Sequence, residues 1–415
     1  MVDKILVVED SKTWANALAS YLTRELGHVC DVAYSYAQAK ELVTEGAGDY
    51  FVALLDLNLP DAPRGEIVDL MLLKSVPSII VTGNYEEETR ARMATKQIVD
   101  YVVKQNPEDV KLIKRLVNRV YNNRCIKVLV VTAASAFRRV LKRQLGNQRL
   151  QVFEAGSGEE ALNILDLNPD IRLIYTDARL PDMDGFDLTQ AVRRTHGLDT
   201  LAMIFFYEEM ERDLFPKLLK SGANDFLPRD FTREEFLCRL NMNLDMLELI
   251  ESAKESANRD YLTGMNNRRS LYAKSEEFFT RARESGSGLV AAVLDIDHFK
   301  RVNDTYGHDI GDVVIKALST FVRKYVGPTG LTARIGGEEF CVLLLGLTRP
   351  EAEVFFEGLR RGIEELRLEE VDIRFTVSIG VTVIHRNSLD AMISAADQKL
   401  YEAKGGGRNR VCLEA

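Results

Sequence analysis

No apolar stretch in this chain of 415 residues is long enough to cross a bilayer, so no membrane segment is expected. No signal-peptide pattern precedes the first strand-like run, Lys4-Ile5-Leu6-Val7-Val8. Five cysteines (Cys30, Cys125, Cys238, Cys341, Cys412) show no Cys-x-x-Cys spacing, which favours reduced thiols and a cytoplasmic setting. The five histidines do not cluster, which argues against a zinc site. With a net charge of −9 and no lysine- or arginine-rich stripe, the chain lacks the basic face of a nucleic-acid binder, and no nucleic-acid partner is expected. There is no Gly-x-x-x-x-Gly-Lys-Ser/Thr loop either, which excludes a P-loop NTPase.

What is present is an ordinary globular composition, 46% apolar and 28% charged, in a length that suits roughly three domains. The chain also repeats itself. Lys4-Ile-Leu-Val-Val-Glu-Asp10 recurs as Lys127-Val-Leu-Val-Val-Thr-Ala133, and Leu54-Leu-Asp-Leu-Asn-Leu-Pro-Asp61 as Ile174-Tyr-Thr-Asp-Ala-Arg-Leu-Pro-Asp182. Asp100-Tyr-Val-Val-Lys104 recurs as Asp225-Phe-Leu-Pro-Arg229. Short β-branched runs alternate with amphipathic segments, the pattern of βα units around a parallel sheet. Two such units are expected, over 1–121 and 125–245. From 233 to 257 the pattern turns helical, with Leu237, Leu240, Leu244 and Leu247 in 3-4-3 spacing. One helix there would span roughly 37 Å. It serves as the last helix of the second unit, as a linker that pairs with its copy, or as both, one for each half.

In the first unit, Glu9 and Asp10 end the first strand, Asp56 the third and Thr82 the fourth, and Lys104 follows the fifth. Doubly wound sheets gather such strand ends into one crevice. Phosphorylating a carboxylate needs a metal to screen like charges and donors to hold the new oxygens. In these residues the unit resembles the receiver domain of two-component response regulators. The resemblance implies that Asp56 is the phosphoacceptor, fed by a sensor histidine kinase or phosphotransfer protein. It implies one Mg²⁺ held by Glu9, Asp10, Asp56 and the Asn58 carbonyl, with Thr82, Lys104 and Tyr101 as the switch. The loop Pro60-Asp61-Ala62-Pro63-Arg64-Gly65 is longer than its counterpart and is expected to affect partner choice.

The second unit keeps Asp177, but the acidic pair becomes Thr132 and Ala133. The hydroxyl position falls on Phe206 or Tyr207 and the lysine position on Arg229. It resembles a degenerate receiver, a structural adaptor.

The third unit, over 258–415, carries Asp260-Tyr-Leu-Thr-Gly, Asp295-Ile-Asp-His-Phe-Lys-Arg-Val-Asn303 with Asp312 beyond, and Gly336-Gly337-Glu338-Glu339-Phe340. It closes on Lys404-Gly405-Gly406-Gly407-Arg408. A strand-end Asp facing a Glu at a glycine turn suits two Mg²⁺ ions on a triphosphate. The glycines between Lys404 and Arg408 suggest backbone approach to an anion, and a solvated helix end is the alternative.

These motifs resemble the GGDEF family, the diguanylate cyclases. The resemblance implies condensation of two GTP to cyclic di-GMP and two pyrophosphates. The fold as a whole is then α/β: two flavodoxin-like (βα)5 receivers followed by an α/β palm similar to class III nucleotide cyclases. By the same resemblance Asp295, the Ile296 carbonyl and Glu338 hold two Mg²⁺ per half-site, with Glu339 as a further ligand or base. Asn303 and Asp312 meet guanine, and Phe299, Lys300, Lys404 and Arg408 surround the phosphates. Each domain would bind one GTP, so ring closure calls for a homodimer, with phosphorylation of Asp56 setting its geometry.

The family's Arg-x-x-Asp inhibitory motif is replaced by Gly327-Pro328-Thr329-Gly330, so product feedback through it is expected to be lost. The rival reading is a non-catalytic, nucleotide-sensing adaptor.

Overall fold

The computed structural model describes residues 3–83, 93, 96–106, 108–208, 214–368, 373–383 and 388–414. Its contacts divide the chain into two units, Met1–Leu249 and Ile250–Ala415.

The first unit contains two five-stranded sheets. The first sheet comprises β1 (Lys4–Val8), β2 (Cys30–Ala33), β3 (Tyr50–Leu55), β4 (Ser78–Thr82) and β5 (Asp100–Val103). Its order is β2-β1-β3-β4-β5, all parallel. Helices α1 (Lys12–Leu26), α2 (Tyr36–Gly46), α3 (Glu66–Leu73) and α4 (Asp109–Asn123) accompany it. Alternate strand residues serve different cores: Leu6 and Val8 enter one, Ile5 and Val7 the other. That double covering is why all six residues of β3 are buried and apolar.

The second sheet has β6 (Lys127–Val131), β7 (Gln151–Ala155), β8 (Ile171–Asp177), β9 (Ala202–Tyr207) and β10 (Asp225–Pro228). It repeats the topology, order β10-β9-β8-β6-β7. Helices α5 (Ser135–Asn147), α6 (Gly158–Leu167), α7 (Gly185–Arg193) and α8 (Phe215–Ser221) accompany it. The repeated Leu-Pro-Asp has one structural job in both copies. Asp61 accepts the N–H groups of Tyr36 and Ala37 (2.8 and 2.9 Å), and Asp182 those of Gly158 and Glu159 (2.9 and 2.8 Å). Each carboxylate thus satisfies orphan donors at a helix N-terminus.

Helix α9 (Arg233–Asn258) decides between the two sequence readings of its leucines. Leu237, Leu240, Leu244 and Leu247, with Phe236, are buried in the second receiver's own core beside Val128, Val130 and Leu141. They are therefore not free to pair with a second copy, and this stripe serves the receiver. The exposed apolar face is a different one, Met242, Met246 and Leu249 (57, 54 and 70% exposed).

Within this unit the receivers are joined by polar contacts. Gln148 donates to the Val99 carbonyl (2.7 Å), Arg149 to that of Phe51 (2.8 Å), and Asn123 to that of Gln148 (2.9 Å). Arg119 on α4 pairs with Asp245 and Glu248 on α9. At the start of α9, Arg233 donates to the carbonyls of Lys96, Ile98 and Val99, the approach to β5.

The second unit has β11 (Leu289–Ile296), β12 (Leu331–Arg334), β13 (Glu339–Leu345), β14 (Val377–Thr382) and β15 (Val411–Leu413), in the order β12-β13-β11-β14-β15. The central pairings are antiparallel, and only the β14–β15 edge is parallel. Its helices are α10 (Arg268–Ser285), α11 (Phe299–Tyr306), α12 (His308–Val326), α13 (Arg349–Glu364) and α14 (Leu389–Gly405). Gly380 lets α14 lie directly on β14, since a Cβ there would stand 2.1 Å from the Ala396 carbonyl oxygen and 2.2 Å from the Leu400 nitrogen. That close packing carries Lys404 to the end of β11.

Candidate functional site

In the first receiver, parallel strands deliver their C-terminal ends to one place. Glu9, Asp10 and Asp56 each present a carboxylate oxygen, all within 4.8 Å of one another. Lys104 reaches in from the end of β5, donating to Asp56 Oδ2 (2.7 Å) and to Glu9. Its ammonium lies 4.3 Å from the Trp14 ring centroid. Burial pushes the Glu9 carboxyl above its ordinary range even though the Lys104 ammonium beside it acts the other way. Asp56 also accepts the Asn58 N–H (3.1 Å), which shapes the turn carrying the Asn58 carbonyl. Thr82 ends β4 fully buried, and Tyr101 on β5 is half-buried against the adjoining core. Hard carboxylate oxygens facing one cation form a donor set that fits Mg²⁺.

The second receiver's corresponding place is closed by side chains. Thr132 donates its hydroxyl to Asp177 Oδ2 (2.6 Å), and Arg229 Nη2 lies 2.6 Å from Oδ1. The second contact is an ion pair. Phe137 lies under the Arg229 guanidinium at 5.1 Å, as Trp14 does under Lys104. The register puts Tyr207 rather than Phe206 at the place of Thr82: the Arg229 N–H donates to the Tyr207 carbonyl as the Lys104 N–H does to that of Thr82, and the Tyr207 ring packs edge-on against Phe215 at 4.6 Å.

In the second unit, the register of β11 on β13 pairs Asp295 with Glu339, so the signature turn sits at the end of β11. Burial raises the Glu338 carboxyl above its ordinary range, and the nearby Asp295 charge adds to the effect. Asp295 is raised as well, by burial first, against the opposing Lys404 ammonium 2.7 Å from its Oδ2. The lysine shows that this carboxylate seeks a cation, and the oxygen donors suit a hard ion.

Three neighbours of this turn serve the fold itself. Asp297, two residues beyond Asp295, is held by other partners. It is buried and accepts from Thr376 Oγ1 (2.7 Å), Ser378 Oγ (2.6 Å) and the Asn409 N–H (2.9 Å), pinning the segment after α14. The Phe299 ring belongs to the hydrophobic core, which leaves only its backbone for phosphate, while Lys300 is exposed. The Gly405–Gly407 run closes the C-terminal end of α14, where carbonyls rather than N–H groups face outward, so it is not an anion nest. Arg408 follows in left-handed backbone (φ 65°) and reaches Asp295 electrostatically.

Asn303 on α11 and Asp312 on α12 flank the Gly307 bend (φ 86°). Asp312 is exposed, and Asn303 has a buried Oδ1 with no hydrogen-bond partner. Sequence reasoning missed Arg334. It donates to the Gly337 carbonyl (2.6 and 3.1 Å) and to both oxygens of Asp260 (2.9 and 3.1 Å), so the start of the unit is tied to the signature turn. Burial raises the Asp260 carboxyl, but hydrogen bonds from Thr263 and Arg334 outweigh that and leave it below its ordinary range. The one available signal was Arg334 standing two residues before the glycine pair.

Comparison with known proteins agrees with this geometry. The response regulator receiver domain matches residues 5–117 and 128–241, and the diguanylate cyclase GGDEF domain matches 257–410. A crystal structure of a two-component system response regulator/GGDEF domain protein shares 37% identity, with a TM-score of 0.54, over 59% of this chain and 99% of that one. The chain belongs to the response regulators with a GGDEF output domain. Response regulator PleD of Caulobacter vibrioides is 25% identical over the full length of both chains. Diguanylate cyclase DgcP of Pseudomonas aeruginosa is 38% identical over 39% of this chain and 25% of its own. This GGDEF response regulator is thus a diguanylate cyclase by family, and among its described residues no helix is long and apolar enough to cross a membrane.

Proposed function

We propose that the protein condenses two GTP into cyclic di-GMP under the control of Asp56 phosphorylation, in the cytoplasm and as a homodimer. The observation that carries this is the β11–β13 register, which brings Asp295 against the Glu338-Glu339 turn with Lys404 alongside. Asp295, Glu338 and the Ile296 carbonyl would hold Mg²⁺, two ions per half-site, which lowers the pKa of the attacking 3′-hydroxyl and screens the leaving pyrophosphate. Asn303 and Asp312 take guanine's acceptor and donor edges, while adenine would leave them unpaired. Lys300, Lys404 and Arg408 neutralise the phosphates. The adaptor alternative is disfavoured because the signature acids are intact.

One half-site binds one GTP, so closing the ring takes a second copy. The exposed face of α9, Met242, Met246 and Leu249, with Cys238 four residues before Met242, supports pairing there. An open groove of about 710 Å³ lined by Trp14, Leu18, Tyr21 and Lys104 supports approach of a kinase or phosphotransfer protein to Asp56. The bonds from Arg233 to the carbonyls before β5 support a route from the switch strand into α9. Gly330 has no room for a side chain, since a Cβ would meet Val326 Cγ1 at 2.3 Å, which supports the absence of product feedback through this turn.

The test is product analysis after incubation with GTP and Mg²⁺. Wild type should yield cyclic di-GMP and Glu338→Gln at least about a hundredfold less, the scale of losing one key electrostatic contact. A Glu338→Gln protein at wild-type speed would defeat the reading.

A further inference from the structure

We propose that Gly311 is a specificity-determining positioning residue, which selects guanine by leaving room for the Asn303 carboxamide. The inference rests on the reading of Asn303 as a guanine contact. Gly311 lies buried in the second turn's approach on α12, with no left-handed backbone to require a glycine. A glycine inside a helix is destabilising relative to alanine, so its presence needs another cause. The cause is space. A Cβ at position 311 would stand 2.0 Å from Asn303 Oδ1, 3.1 Å from Asn303 Cγ and 3.2 Å from Phe299 Cζ.

Two neighbouring facts give that space a use. The Asn303 Oδ1 so accommodated is buried and lacks a protein hydrogen-bond partner, so the shape left by Gly311 rather than a bond fixes where the carboxamide lies. Gly311 also directly precedes Asp312, so the same backbone that seats Asn303 sets the start of the second guanine contact. The junction is fixed on both sides: Gly307 donates to the Asn303 carbonyl (2.9 Å) and Gly311 to the Gly307 carbonyl (3.2 Å). The clashing atom is the far end of a flexible side chain. Alanine at 311 would therefore be accommodated by rotating Asn303 away, leaving the fold intact and the guanine pair broken.

The experiment is a double-mutant cycle on the full-length protein: wild type, Gly311→Ala, Asn303→Ala and the double variant. The readouts are binding and kcat/KM for GTP and ATP, with thermal midpoints. Gly311→Ala should keep or raise the midpoint while the GTP-over-ATP preference falls about tenfold to a hundredfold, the scale of one lost hydrogen-bonded contact. Adding it to Asn303→Ala should cost no further preference, because both act through one side chain. A Gly311→Ala protein that keeps full preference while Asn303→Ala loses it overturns this inference and leaves the guanine reading standing. If Asn303→Ala keeps the preference too, both fall. A lowered midpoint with additive losses would make Gly311 a packing residue only, and also overturns the proposal.

Discussion

Asp56 and Asp177 stand at the ends of equivalent third strands, one facing two further acids and a lysine, the other a threonine and an arginine. In the first pocket three carboxylates face one ammonium, an acidic excess that a divalent cation would balance. In the second, one carboxylate faces one guanidinium and nothing is owed. The same backbone can thus hold an aspartate poised for chemistry or one neutralised as structure. Fold similarity alone does not tell them apart; the charge count does.

The comparison breaks most directly on phosphoryl incorporation. With a small acyl phosphate and Mg²⁺, intact-mass measurement should find one phosphoryl group per chain. Asp56→Asn should reduce that to background and Asp177→Asn should leave it unchanged. Labelling at Asp177 would show that Arg229 and Thr132 do not lock the second pocket.

A smaller effect separates the two cations. Arg229→Ala leaves the Asp177 carboxylate buried with a single hydroxyl partner, and should cost about 1–3 kcal/mol of stability, which Mg²⁺ does not restore. Lys104→Ala should also lower the thermal midpoint, but there Mg²⁺ should recover it, by about 2.7 kcal/mol at a hundredfold excess over its dissociation constant. Equal metal responses would mean that the charge count misjudges one pocket.

The cyclase unit sharpens the comparison through pH, because Asp295 and Glu338, like Glu9, are acids whose pKa values burial raises. Protonation removes their charge, so the Mg²⁺-dependent rate should fall on the acid side at a pH above the ordinary carboxylate range of about 4. Excess Mg²⁺ competes with protons and should move that limb to lower pH. The sign for stability is the reverse. Folded pKa values above unfolded ones make the metal-free unit less stable as pH rises through them. An acid limb insensitive to Mg²⁺ would detach these carboxylates from the metal.

The smallest effect concerns the aromatic floor shared by both pockets. Trp14→Leu and Phe137→Leu should each cost about 0.5–1 kcal/mol of cation–π contact, measured by denaturant midpoint. If only the first shows a cost, the parallel between the floors is superficial.

Much of this was legible in the sequence because the signals were local. The apolar runs gave the buried strands, the Leu-Pro-Asp repeat gave paired units, and the strand-end acids gave the first pocket. The chain pattern also exposed the second pocket's loss of acids at Thr132 and Ala133. What remained hidden depends on partners distant in sequence. The α9 leucines could serve two faces until Val128 and Leu141 were seen to cover them. Asp297 stands two residues from Asp295, and spacing cannot say that Thr376, Ser378 and Asn409 claim it. Arg334 gave one faint signal beside the glycine pair while its partner Asp260 lies far back in the chain, and Gly311 was hidden because spacing does not show what a missing side chain leaves room for. One matters for what it bridges and the other for the side chain it lacks.

The most direct test of the whole account is the initial rate of cyclic di-GMP formation by the full-length protein, with and without acyl phosphate, in wild type and Asp56→Asn. The account predicts that phosphorylation raises the wild-type rate and leaves the Asp56→Asn rate where it began. Equal stimulation of both, or no cyclic product from either, would contradict it.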